Sequence, residues 1–105
     1  MKSDLNENSG EIITLTEAIG YVSAFRELMP DEKRAFYVGK NKVNAILEQE
    51  NCMGMRIYMG YNDAESSLNL VLVGVDKDEN DMTQGIIVER LFTCPPYCPL
   101  NSDLM

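Results

Sequence analysis

Histidine and tryptophan are absent from this 105-residue chain, and its three cysteines lack the spacing of a zinc site. Without histidine, the chain has neither the commonest general base nor the commonest metal ligand. No serine stands in a glycine-bracketed elbow, and no glycine-rich loop is suited to cradle phosphate. The sequence therefore predicts neither an enzyme nor a bound cofactor or metal.

Basic residues are few and scattered: nine Lys and Arg stand against 17 Asp and Glu, for a net charge of −8. Because like charges repel, we expect neither nucleic acid nor an anionic membrane as a partner. No apolar run approaches the roughly 20 residues of a spanning helix. The N-terminus also lacks the apolar stretch of a secretory signal, so we expect a cytoplasmic protein with reduced cysteines.

The N-terminal segment is polar and poor in apolar anchors, and no internal repeat follows it. Such a segment buries too little apolar surface to offset the entropy of ordering it. We therefore expect a flexible leader over residues 1–11 and a single α+β domain over residues 12–105.

A helix is predicted to begin after Thr14, because Thr14 and Glu17 have the spacing of a capping box. Apolar residues then recur at steps of three and four, which is typical of one helix face. They are Leu15, Ala18, Ile19, Val22, Phe25 and Leu28. This helix should stop near Met29, before Pro30.

Two shorter segments follow. Pro30 suits the first turn of a second helix running to about Val38, which is the preferred interpretation. Residues 35–38 are aromatic and β-branched, so a short strand is the alternative. Asn41 is then a candidate cap for a further helix, with Ile46 and Leu47 on its apolar face.

From residue 55 the pattern becomes that of strands, predicted at 55–61, 68–75 and 85–92. The middle strand carries leucines on one face and valines on the other, so it should be central. Short loops favour antiparallel neighbours. The sequence predicts two or three N-terminal helices packed on a three-stranded, mainly antiparallel sheet, with an extended proline-rich tail after Phe92.

Cys94 and Cys98 flank two prolines and a tyrosine, a spacing that differs from both the redox and the zinc patterns. The preferred interpretation is that they pack as small apolar groups. A local disulfide or thiol switch is one alternative. A zinc site that also uses Cys52 and a carboxylate is another.

Residues 76–81 resemble part of a calcium loop, with Asp76, Asp78 and Asn80 at the first three alternate ligand positions. Asp81 stands where that loop requires glycine, and Ile87 stands where it requires a closing glutamate. We therefore expect a solvated turn between two strands, with a weak cation site as the alternative.

Arg56 and Tyr58 fall on the same face of their predicted strand, and Tyr61 follows closely. Arginine and tyrosine are enriched where interfaces bury energy. These three residues form the predicted recognition surface, although an arginine stem packed along a tyrosine ring would also explain the pair.

Three segments together resemble a group of bacterial proteins of about this length that has no assigned activity. The segments are Arg56-x-Tyr58-x-Gly60, Val73-Gly74-Val75-Asp76 and Cys94-Pro95-Pro96-x-Cys98. The resemblance covers roughly the C-terminal two thirds of the chain. It implies a single-domain, non-secreted protein and no particular chemistry.

The sequence as a whole predicts a small soluble interaction module. It would self-associate or bind a protein partner through a sheet edge or the face of Arg56 and Tyr58. The alternative is a thiol-redox or weak metal-binding regulator that uses Cys94, Cys98 and Cys52.

Overall fold

A computed structural model describes residues 5–105, which form two helices and two antiparallel sheets. In chain order the elements are α1 (Leu15–Leu28), β1 (Ala35–Tyr37), α2 (Lys40–Leu47), β2 (Cys52–Asn62), β3 (Ser67–Asp76), β4 (Ile87–Val88) and β5 (Phe92–Cys94). The α+β class with mainly antiparallel pairing is confirmed. Residues 1–4 of the predicted leader lie outside the described part, and within the rest Asn6 and Ser9 close a hydrogen-bonded turn.

The larger sheet has the order β2-β3-β4, with β3 in the centre as predicted. Long β2 and β3 pair antiparallel from Asn62 opposite Ser67 back to Cys52 opposite Asp76, with one irregularity near Gly54. Leu72 and Val73 lie on opposite faces of β3, and both are buried. The core of this sheet therefore sits on its middle strand.

Helix α2 supplies the main cover for this sheet through Ile46, which is fully buried. Beyond the helix, Gln49 and Cys52 approach β3 so closely that a Cβ on Gly74 would lie 3.0 and 3.1 Å from their side chains. The helix begins at Lys40, so its cap lies two residues before the predicted Asn41. Gly39 is extended, and its carbonyl accepts the amides of Lys42 and Val43, so it fills the capping position.

Helix α1 begins as predicted, because the Thr14 hydroxyl accepts a hydrogen bond of 3.1 Å from the Glu17 amide. None of its residues is buried, however. Arg26 donates to the carbonyl of Leu104 at 3.2 Å, and a groove lies between α1 and the C-terminal segment. The prediction that the N-terminal helices cover the sheet therefore holds for α2 and is not confirmed for α1.

Residues 35–37 form strand β1, so the preferred helix at this place is wrong and the alternative is confirmed. Strand β1 pairs antiparallel with β5, and the Arg34 amide extends the pairing by donating to the Cys94 carbonyl at 2.7 Å. Three residues are too few to show a period, and pairing with a distant segment decides their conformation.

The strand predicted over residues 85–92 is divided in two. Only Ile87–Val88 pairs with β3, and the chain then turns at Arg90, whose φ of +63° lies in the left-handed region. Beyond this turn, Phe92–Cys94 joins β1 in the smaller sheet. One continuous third strand was therefore the wrong prediction.

The proline-rich segment that follows is a turn, so the predicted extended tail is not confirmed. The amide of Tyr97 donates to the Thr93 carbonyl at 2.8 Å, and that of Cys98 donates to the Pro96 carbonyl at 3.0 Å. This places Cys98 back beside Cys94. Within the described residues, neither helix has the length and apolar character needed to cross a membrane.

Candidate functional site

Arg56 and Tyr58 meet a third residue, Asp81, which the sequence did not mark as their partner. Arg56 Nη1 donates to Asp81 Oδ1 at 2.5 Å, and the Tyr58 hydroxyl donates to Asp81 Oδ2. Strand β2 presents the two donors two residues apart on one face, and an isolated bridge between Val75 and Asp81 brings the carboxylate across β3. We call these three residues the Asp81 cluster.

The electrostatics of the Asp81 cluster follow from these two hydrogen bonds. The bond from Tyr58 and then the bond and charge of Arg56 hold the pKa of Asp81 below its ordinary value of 3.8, although partial burial opposes them. The same carboxylate raises the pKa of Tyr58 above its ordinary value of 10.0. It also raises the pKa of Arg56. The cluster is therefore an ion pair with a neutral phenol attached.

This geometry changes the role of the predicted recognition pair. The arginine charge and the tyrosine donor are both directed at Asp81, whose side chain is only 20% exposed. One guanidinium nitrogen of Arg56 and the hydroxyl of Tyr58 are thus already hydrogen-bonded inside the chain. We conclude that the Asp81 cluster fixes the turn after β3 against β2.

Tyr61, the third predicted recognition residue, lies on the opposite face of β2 from Arg56 and Tyr58. It shares that face with Ile57 and Met59. Ile57 is 56% exposed, Met59 is 68% exposed and Tyr61 is 57% exposed. We call Ile57, Met59 and Tyr61 the β2 apolar face. Sequence alternation places the three residues together, yet only the structure shows that no described helix covers them.

Strand β2 is also an edge of its sheet. Its one neighbour among the described strands is β3, so the backbone groups on its other side have no strand partner there. Natural edge strands are commonly short, or carry lysine or proline that blocks further pairing. Strand β2 is 11 residues long, contains no proline or lysine, and has Arg56 as its one charged residue.

In the turn that resembles a calcium loop, the carboxylate of the first aspartate accepts hydrogen bonds from amides of the turn itself. Oδ1 of Asp76 accepts hydrogen bonds from the amides of Asp78 and Asn80 at 2.9 and 3.0 Å. Glu79 adopts a φ of +70°, which closes the turn. In the described part of the chain, no group of three or more His, Cys, Asp or Glu side chains could hold a metal ion.

The predicted thiol residues separate into a pair and a single cysteine. Cys94 and Cys98 form a disulfide, so the expectation that they stay reduced and merely pack is wrong for this pair. The turn through the two prolines brings their Cα atoms to 4.7 Å, which is within the range that a disulfide spans. Cys52 is free and lies in the other sheet, where its thiol donates to the Gly54 carbonyl at 3.2 Å.

An aromatic groove, which the sequence did not predict, lies beside the disulfide. It has a volume of about 550 Å³. Its lining consists of Ala35, Phe36, Tyr37, Phe92, Cys94, Tyr97, Cys98 and Pro99. Tyr37 lies opposite Phe92 in the β1–β5 pairing, and the rings of Phe92 and Tyr97 meet edge to face with centroids 4.8 Å apart. The aromatic and β-branched residues 35–38, interpreted as a strand, are the one sequence signal that points to this groove.

No protein-family model, curated protein or solved structure matches the chain. The resemblance of its three segments to a group of bacterial proteins therefore stays a prediction.

Proposed function

We propose that this protein is an interaction module that associates with a second copy of itself through β2. The observation that carries the proposal is the combination of an 11-residue strand, which lies at the edge of the sheet formed by the described strands, with the exposed β2 apolar face. Edge strands of this kind are the surfaces to which another strand adds, because the main chain supplies the hydrogen bonds and alternate side chains supply specificity.

Charge favours a second copy as the occupant of this edge. The chain carries −8 overall, but its acidic residues all lie outside β2. Two β2 strands can therefore pair antiparallel about a twofold axis without placing carboxylates opposite one another. Arg56 would not oppose the pairing, because Asp81 already neutralises it within each copy.

Side chains add to the backbone pairing. An antiparallel β2–β2 arrangement makes one continuous sheet, with the β2 apolar faces of both copies side by side. Burial of the exposed parts of Ile57, Met59 and Tyr61 would contribute about 25 cal/mol for each Å² of apolar surface removed from water. Because the axis is twofold, the same residues of both copies form the interface.

Sedimentation analysis of the purified full chain tests the proposal. We expect a dimer whose dissociation constant falls as salt is raised, because salt screens the repulsion between two acidic copies. Met59→Lys should yield a monomer with an unchanged circular dichroism spectrum, since a lysine on an edge opposes strand addition.

Leu28→Lys is the matched control, because Leu28 is 79% exposed and belongs to α1, outside the sheet that contains β2. This variant should stay dimeric. A wild-type chain that is monomeric at every concentration, or a Met59→Lys variant that dimerises like the wild type, would remove β2 as the interface.

A further inference from the structure

The disulfide of the smaller sheet closes a very short loop, because its cysteines are four positions apart. The stabilisation that a disulfide gives in the chain-entropy account grows with the length of the loop it closes. Here the ends of the loop are already held by backbone hydrogen bonds. The Arg34 amide donates to the Cys94 carbonyl, and the Tyr97 amide donates to the Thr93 carbonyl. The Cys98 amide also donates to the Pro96 carbonyl at 3.0 Å, so backbone hydrogen bonds hold both cysteines in addition to the disulfide.

The two cysteines of the disulfide differ in their exposure to solvent. Cys94 is 2% exposed, whereas Cys98 is partly exposed and lines two clefts. Thiol–disulfide exchange requires a thiolate to reach one sulfur, and access decides which sulfur is attacked. An incoming thiolate would meet Cys98, and the sulfur of Cys94 would leave.

The two clefts beside Cys98 have different chemistry. One is lined by charged residues of both signs, namely Asp31, Glu32, Lys33 and Arg34, together with Pro30 and Pro95. The other is the aromatic groove, whose lining contains no charged side chain. Tyr37 and Tyr97 are each 63% exposed along this groove. A polypeptide that places apolar side chains over these rings would bring its own cysteine to Cys98.

We infer that the Cys94–Cys98 disulfide is an exchange site for a cysteine in an apolar polypeptide segment, which the aromatic groove seats. The incoming thiolate bonds to Cys98 Sγ as the Cys94–Cys98 bond breaks, and the bonding electron pair leaves on Cys94 Sγ, which then takes a proton from solvent. A second thiolate of the partner attacks the partner sulfur of the mixed disulfide and releases Cys98 as a thiolate. The partner dithiol is thereby oxidised by two electrons, and the disulfide of this chain is reduced to two thiols.

This site is independent of the association proposed for β2, since it lies in the other sheet. Its experiment uses the oxidised full chain and two synthetic peptides, each with a single cysteine. One peptide flanks the cysteine with leucine and phenylalanine, and the other flanks it with serine and glycine at the same net charge. After acid quenching and alkylation, intact mass and peptide mapping give the rate of mixed-disulfide formation and the cysteine that carries the peptide.

We expect the apolar peptide to react roughly ten times faster than the polar one, because burying even two or three methylene groups in the groove is worth that factor. The peptide should be found on Cys98 and the alkyl group on Cys94. Tyr97→Ala should abolish the preference for the apolar peptide while exchange continues. Tyr61→Ala should keep the preference, because it removes a comparably exposed ring from the larger sheet.

Equal rates for the two peptides would overturn the proposal, as would attachment at Cys94 or a disulfide that resists both peptides. Circular dichroism of each variant shows whether the fold is intact. If Tyr97→Ala proves unfolded, Tyr37→Ala provides the same test from the other side of the groove. Failure here leaves the β2 interface untouched, since that interface is measured by sedimentation and involves no thiol.

Discussion

At the scale of single residues, Asp81 is the side chain that links the strands to the turn. Its carboxylate accepts hydrogen bonds from both Arg56 and Tyr58, which come from the edge strand, whereas Asp81 itself follows β3. A carboxylate that accepts such bonds is stabilised in its charged form. The fold therefore gains stability from ionised Asp81 and from protonated Tyr58.

The pH dependence of unfolding tests this link. The pKa of Asp81 is lower in the fold than its ordinary 3.8, so its contribution is present above that value and is lost as the pH falls through the lowered pKa. The pKa of Tyr58 is raised above 10.0, so its contribution is present below that value and is lost as the pH rises through the raised pKa. Denaturant unfolding across the pH range should show both losses.

Tyr58→Phe separates these effects from general acid or alkaline unfolding. It removes the donor with the largest influence on Asp81, so both limbs of the stability profile should become shallower. Tyr61→Phe removes a hydroxyl from the opposite face of β2 and should leave the profile as it is. Identical profiles for the two variants would show that Tyr58 and Asp81 are not coupled.

Sequence alone could place two of the three residues of the Asp81 cluster together. Alternation along a strand places Arg56 and Tyr58 on the same face, and the structure agrees. Asp81 could not be assigned to them, because it belongs to a turn and reaches the pair only through the bridge to Val75. Local pattern does not specify contacts between residues so far apart in the chain.

At the scale of elements, α2 is the helix on which the larger sheet depends. Ile46→Ala should lower the free energy of unfolding by about 2–5 kcal/mol, because Ile46 is fully buried and its truncation leaves a cavity. Leu47→Ala is the matched control, since its side chain is 43% exposed, and it should cost much less. Equal losses for the two variants in denaturant titrations would contradict this packing.

The elements that sequence could predict are those whose pattern is local. Strand β3 has apolar residues on both faces, which is the signature of a central strand, and the start of α1 carries its capping residue. Strands β1 and β5 could not be predicted in the same way. Each has three residues, and each is formed by pairing with the other. The turn that separates β5 from β4 has Arg90 at its left-handed position, where glycine would have been a sequence signal.

At the scale of the whole molecule, exposed apolar side chains are grouped on two surfaces that belong to two different sheets. The β2 apolar face belongs to the larger sheet, and the aromatic groove belongs to the smaller one. Large exposed apolar patches on a protein are commonly sites of interaction.

The proposed dimer pairs the outer edge of β2, which has no strand neighbour among the described residues, with the same edge of a second copy. Amide hydrogen exchange measured residue by residue at low and high protein concentration tests it most directly. Alternate amides of β2 point away from β3, so they exchange quickly in a monomer and become protected when a second strand adds. We predict that these amides alone slow down as concentration rises, and that Met59→Lys abolishes the effect. Exchange at these positions that stays fast and independent of concentration would contradict the account.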